Sequence, residues 1–177
     1  MKIKILLGMM VVVGMIFAGM GFAMDAEHKM PAPIKGSAEF EKIKSLAGMW
    51  KGSVVTEGKT EPAEINYKVT SNGSAVLETL FPNTPQEMVS VYHDDENGKL
   101  SMTHYCAIGN QPQLDLKKSE AGKIELDLSP HSKLASTQHM HGLNLSFEGA
   151  DKLTQSWTCF EGGKANHTTV ISVTKVS

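Results

Sequence analysis

The feature that most constrains this 177-residue chain is the steady recurrence of hairpin-turn chemistry after residue 48. Asn72-Gly73, Glu96-Asn97-Gly98, Glu120-Ala121-Gly122, Gly149-Ala150-Asp151 and Gly162-Gly163 place residues that tolerate tight turns between short runs of alternating polarity. The runs cover about 49–57, 61–69, 74–82, 87–94, 99–106, 112–117, 122–128, 139–148, 151–160 and 163–175. Their even spacing leaves no room for crossover helices, which predicts an antiparallel meander. About ten strands in one meander close into a barrel, because closure removes the exposed edges. Ahead of them, Ser37 is placed to cap a short helix reaching about Leu46, with Phe40, Ile43 and Leu46 at helical spacing. The expected fold is all-β, a single roughly ten-stranded antiparallel up-and-down barrel preceded by a short N-terminal helix.

The N-terminus has a different character. Lys2 and Lys4 precede an almost unbroken apolar run from Ile5 to Met20, and Gly21-Phe22-Ala23 is a small-x-small cleavage site. This three-part layout is that of a secretory signal peptide. The run is nearly long enough to span a bilayer as an uncleaved anchor. Gly8, Gly14, Gly19 and Gly21, the small-residue site and the lack of a basic stop-transfer segment favour cleavage after Ala23, with Ala26 as a second site. No cysteine sits at the junction to take a lipid. The expected organisation is a signal peptide over 1–23, a linker over 24–36 carrying Pro31 and Pro33, and the barrel over 37–177. The mature protein is then expected outside the cytoplasm, periplasmic or extracellular, and free of the membrane.

Composition narrows the partners. Every basic residue is a lysine, and the formal charge is −2. Without arginine's planar fork, a mildly acidic chain is poorly equipped to read phosphates or base edges, so no nucleic-acid partner is expected. Eleven methionines hint at soft-metal binding, but Met1, Met9, Met10, Met15, Met20 and Met24 belong to the leader or its edge.

Leu46-Ala47-Gly48-Met49-Trp50-Lys51-Gly52, following a short helix and opening the first strand, resembles the calycin barrels: the lipocalins, the fatty-acid-binding proteins and the haem-carrying nitrobindins. That resemblance implies a barrel in which the Gly-x-Trp entry turns tightly and the tryptophan plugs the closed end, with a cavity for a small ligand. His104-Tyr105-Cys106 and Gly109-Asn110-Gln111-Pro112 are similar to a segment of uncharacterised exported bacterial proteins of this barrel type, which tend to continue with arginine where this chain has Gln113. Two departures matter. The interior arginine that clamps a fatty-acid carboxylate is missing, and the haem-ligating histidine of nitrobindins is matched only loosely by His167 at the start of the last strand.

Strand direction alternates along a meander, so strand ends can be assigned to rims. His104 and Cys106 end the fifth strand, His139 and His141 begin the eighth, Cys159 ends the ninth and His167 begins the tenth, all at one rim; His131 crosses that rim in the long connection Ser129–Gln138. The period of two puts Leu100, Met102, His104 and Cys106 on one face. It likewise groups His139, His141, Leu143, Leu145 and Phe147, then Leu153, Gln155, Trp157 and Cys159, and finally His167, Thr169, Ile171 and Val173. These faces are the more apolar ones and are expected to point inward. His104, Cys106, His139, His141, Trp157 and His167 are therefore the candidate ligand-binding residues, with Trp50, Phe81 and Phe147 as further apolar lining.

Several chemistries remain open at such a rim. The leading expectation is a cavity for a small, largely apolar or planar molecule, with the histidine-bearing mouth holding ordered water; a structural or partner-binding module would instead have a filled, cavity-free interior. One alternative is haem or a transition metal held by His167, His104 and His141, since neutral imidazole is a common ligand. Another is a barrel enzyme acting on a small extracytoplasmic substrate, though His104 and Cys106 stand roughly 6–7 Å apart along a strand, too far for a thiol–imidazole hydrogen bond. There is no His-Glu-x-x-His, Cys-x-x-Cys or Gly-x-Ser-x-Gly motif. Asp94-Asp95-Glu96-Asn97-Gly98 lacks the later glutamate of a calcium loop and reads as a solvated turn. Export invites a disulfide between Cys106 and Cys159, yet the fifth and ninth strands face each other across the barrel, farther apart than the roughly 7 Å a bridge allows between Cα atoms.

Overall fold

A computed structural model describes residues 31–134 and 136–176. The expected signal peptide (1–23) and linker residues 24–30 lie outside the described residues. Among the described residues no helix is long and apolar enough to cross a membrane.

Helix α1 spans Ala38–Lys44, one short amphipathic stretch with Phe40 and Ile43 on its buried side. Ser37 caps it, its Oγ accepting from the Phe40 N–H at 3.1 Å. Asp94 holds this cap in place, taking the Ser37 N–H at 2.6 Å and the Ser37 hydroxyl at 2.7 Å. Asp94 thus anchors the helix instead of merely facing solvent, while Asp95 closes the turn by accepting from the Asn97 and Lys99 N–H groups.

Ten strands follow: β1 (Gly48–Thr56), β2 (Lys59–Thr70), β3 (Ala75–Leu80), β4 (Met88–Asp94), β5 (Leu100–Tyr105), β6 (Gln113–Glu120), β7 (Lys123–Leu128), β8 (His139–Glu148), β9 (Lys152–Glu161) and β10 (Lys164–Lys175). Each pairs antiparallel with its neighbours in sequence, and β10 returns to β1, so the sheet is a closed barrel. The expected all-β meander is therefore the observed one. β9 shows the pattern most clearly: Leu153, Gln155, Trp157 and Cys159 are buried and their intervening neighbours are not.

Closure depends on a small residue. Gly52 sits opposite Val173 in the β1–β10 ladder, and a Cβ built on it would lie 2.0 Å from the Ser172 carbonyl oxygen. The two backbones approach too closely for any side chain there.

The end of the barrel next to α1 is plugged. Gly48 enters β1 at φ 125°, a conformation that favours glycine. Trp50 is buried, donates its indole N–H to the Leu46 carbonyl at 2.7 Å and meets Tyr67 edge-on at a centroid distance of 6.5 Å. Phe40, Ile43 and Leu46 complete this layer, and burying side chains of this size contributes roughly 1.5–3 kcal/mol each.

Replacing Gly52 by alanine must push β1 and β10 apart. We expect Gly52→Ala to lower the unfolding free energy by about 2 kcal/mol or more, read as a shift in the urea midpoint; an unchanged midpoint would show that the seam has slack.

Candidate functional site

The most concentrated polar feature of the barrel's largely apolar inner surface is a row of side chains running across four strands. Tyr67 on β2 stands opposite Glu78 on β3, Glu78 opposite Ser90 on β4, and Ser90 opposite His104 on β5. Directly opposed residues project to the same face, so the ladder register alone aligns the four inside the barrel. None is more than 2% exposed.

These groups form one hydrogen-bonded network. Tyr67 donates its hydroxyl to Glu78 Oε1 at 2.7 Å, and Tyr92 donates to Glu78 Oε2 at 3.0 Å. Gln155, reaching across from β9, donates its amide to both Glu78 and Tyr67, and accepts from the Trp157 indole N–H at 2.8 Å. Burial pushes the Glu78 carboxyl above its ordinary range, and the converging donors from Tyr67, Gln155, Ser90 and Tyr92 oppose that shift. Burial, reinforced by the Glu78 charge, pushes both tyrosine hydroxyls well above theirs. Without these donors a buried carboxylate would be severely destabilising.

The row ends at His104. Its Nδ1 lies 3.0 Å from Ser90 Oγ, its ring packs against Trp157 at a centroid distance of 4.7 Å, and its Nε2 is buried without a hydrogen-bond partner. Burial depresses its pKa to about 4, so the ring is neutral near pH 7.

His104 lines a cavity of about 30 Å³ with Leu80, Phe81, Met88, Met140, Trp157 and Ile171. Phe81, Met88, Met140 and Thr169 also border a larger, mostly apolar groove of about 340 Å³ on the outside, so the groove sits directly over the cavity. Phe81 holds a left-handed backbone at φ 52°, which costs a bulky residue about 1–3 kcal/mol. The rest of the lumen is filled by Tyr67, Tyr92, Met102, Leu114 and Leu143. The cavity expected from the sequence is therefore a small space at the mouth, not a hollow interior.

The candidate residues are distributed as follows. His104 and Trp157 meet at the cavity. Cys106 lies just past β5, half-buried, in a turn closed by the Gly109 N–H on its carbonyl. The next residue, Asn110, ties that turn to the long connection through the Gln138 carbonyl at 2.7 Å. Cys159 is buried in β9, its thiol pushed up by burial, and both cysteines are free. His167 stands opposite Cys159 and is half-buried.

His139 and His141 differ from the expectation. The β8–β9 register shifts between Met140 and Gly142, so His141 is a bulged extra residue. Met140 consequently faces inward opposite Cys159, whereas His139 is opposite Phe160 on the outer side. His141 stacks on Phe160 at 3.7 Å and points Nε2 toward Asp127 at 3.6 Å, over an outer groove shared with Lys117 and Thr158. The strict period of two carries no warning of an inserted residue. Phe147 packs beside the helix under Lys42 rather than at the mouth.

His104, His141 and His167 therefore do not converge. Among the described residues no three histidine, cysteine or acidic side chains come together to hold a metal ion. A porphyrin does not fit beside His104 either, since drug-sized ligands already take about 300–1,000 Å³ and the space there is about 30 Å³. Glu78, Ser90, Tyr67, Tyr92 and Gln155 went unrecognised as a site in the sequence. The available signal was Val76-x-Glu78-x-Leu80, which puts a carboxylate on an apolar face.

The neutral buried histidine sets an acid dependence. The unfolded ring titrates near 6.5 and the folded ring near 4, so as pH falls through that window the unfolded chain takes up the proton first and stability drops. Glu78, with its folded pKa raised, acts oppositely and loses its contribution as pH rises through that value. We expect the wild type to lose up to about 3 kcal/mol through His104 between about pH 7 and pH 4, and His104→Phe to lack that component in urea titrations; parallel acid limbs would refute the assignment.

No protein-family model matches this chain, and no curated protein sequence matches it. Among solved structures it is similar to a protein of unknown function from the DUF3598 family of Nostoc punctiforme, with a TM-score of 0.52 and 13% sequence identity over 82% of this chain and 51% of that one. The described barrel thus spans about half the length of that relative, and the likeness is one of fold.

Proposed function

We propose that this protein is an exported, calycin-type barrel that binds a small, largely apolar molecule at its open end. The observation that carries the reading is an apolar cavity, lined by His104 with its buried and unpartnered Nε2, beneath a groove of ligand-sized volume. Buried polar atoms normally have a partner, and one left over at a pocket is accounted for by a bound molecule or ordered water. A concave, mostly apolar surface with one placed polar group is the general form of a small-molecule site.

The calycin affinity rests on the Gly48-Met49-Trp50 entry after a short helix and on the closed ten-strand meander. The exported location rests on the Lys2 to Ala23 leader. Met88 and Met140 separate groove from cavity, and thioether side chains adapt readily to irregular ligands.

The same methionines supply the test. With methyl-labelled methionine, titration with toluene is expected to move the Met88 and Met140 signals and leave Met49, at the plugged end, in place. No movement at Met88 and Met140 up to the solubility limit would sink the proposal.

A further inference from the structure

We infer that the outer groove around His141 is a second binding site, which takes a small guanidinium or amidinium head group between His141 Nε2 and Asp127 Oδ1. It lies on the outer face of β6 to β9 and does not depend on the mouth cavity.

Two β-bulges build the site. β6 carries Lys117 as an extra residue between Leu116 and Lys118, and β8 carries His141 as an extra residue between Met140 and Gly142. Bulges re-aim side chains, and here both strands flank β7 and both inserted residues reach the same β7 carboxylate. Lys117 Nζ lies 2.9 Å from Asp127 Oδ2, and His141 Nε2 lies 3.6 Å from Oδ1. Gly142 stands directly opposite Asp127, so no side chain covers the carboxylate from that position. The result is a groove of about 280 Å³ bordered by Phe160, on which the His141 ring stacks.

Hydrogen-bond geometry decides which atoms face the groove. His139 Nδ1 lies 2.7 Å from the Thr137 carbonyl oxygen, which only accepts, so Nδ1 carries a proton. His139 is 0% exposed, and burial disfavours a charged ring. Its Nε2 is then a bare lone pair, 3.0 Å from His141 Nδ1, which must hold the His141 proton. Burial lowers the His141 pKa against the opposing charge of Asp127, so the ring is neutral in mild base. His141 Nε2 is therefore an acceptor beside a second acceptor, Oδ1, and at 3.6 Å the two make no hydrogen bond.

Two neighbouring acceptors are satisfied by two donors on one molecule. Glu125 and Asp127 against Lys117 leave the groove one negative charge, which selects a cation. A guanidinium or amidinium offers paired N–H bonds from one rigid plane, whereas the bonds of an ammonium diverge. Its competitor is the proton, which turns Nε2 from acceptor into donor. The titratable groups facing that exchange are Lys117 from β6, Glu125 and Asp127 from β7 and His139 from β8, while β9 contributes Thr158 and Phe160.

The test uses the wild-type protein at about pH 8, above the ordinary histidine range. Long-range 1H–15N spectra are expected to show the His139 and His141 protons on Nδ1; a His141 proton on Nε2 overturns the inference. Methylguanidinium at constant ionic strength is expected to shift His141 Nε2 saturably. Tetramethylammonium, a cation without N–H donors, and ethylene glycol, an uncharged pair of donors, are expected to leave it in place. No saturable shift with methylguanidinium, or an equal one with either control, overturns the inference. Asp127→Asn is expected to weaken methylguanidinium binding about tenfold, the worth of one charge-assisted hydrogen bond, and His141→Phe, which keeps an aromatic ring on Phe160, to abolish it. Unchanged affinity in both variants overturns the assignment. Agmatine binding tighter than a capped arginine peptide identifies a free small molecule as the occupant, and the reverse a protein side chain; either keeps the head group assigned.

Discussion

The return of β10 onto β1 is the constraint on which everything else in this molecule rests. A sheet left open there would expose two unpaired edges and let water into the lumen, and no carboxylate could then be held at 0% exposure inside it. Closure is achieved where Gly52 lets the backbone of β10 approach without a side chain between them. The seam is therefore made by a missing group, and the polar row that begins on the neighbouring β2 depends on that seam remaining shut.

Inside the closed wall, burial and hydrogen bonding act against each other and settle in favour of order. Glu78, Tyr67, Tyr92, Ser90 and Gln155 would each be costly alone in an apolar lumen. Together they satisfy one another, and because they come from β2, β3, β4 and β9 they also fix the opposite walls of the barrel in one arrangement. At the end of that network one buried atom is left without a partner, the Nε2 of His104.

The sequence was most legible where chemistry is local. Turn residues marked five of the nine connections and alternating polarity marked the strands between them, while Ser37 marked the helix start, because backbone conformation at such points depends on the residues themselves. His104 and Trp157 could be placed at the same rim by counting strand directions and faces. The site as a whole was less accessible. Glu78 has apolar Leu77 beside it and a polar Thr79 after it, so its face is ambiguous without its partner strands. His139 and His141 were misplaced because a single bulged residue reverses the alternation, and a bulge is decided by pairing with β9 instead of by the residues of β8. Asp94 has the look of a solvated turn residue in the sequence because its partner, Ser37, lies 57 positions away in the chain.

The two ends of the barrel are not equivalent. At one, Trp50 is wedged under the helix with its indole N–H committed to Leu46; at the other, Phe81, Met88 and Met140 stand between cavity and groove. The mouth accordingly has one marked route between groove and cavity. A molecule crossing it passes Phe81, Met88, Met140 and Thr169, so residence time would be governed by how often two thioethers and one aromatic ring swing aside. How tightly a visitor is held and how long it stays are then set by different residues, and each can change without the other.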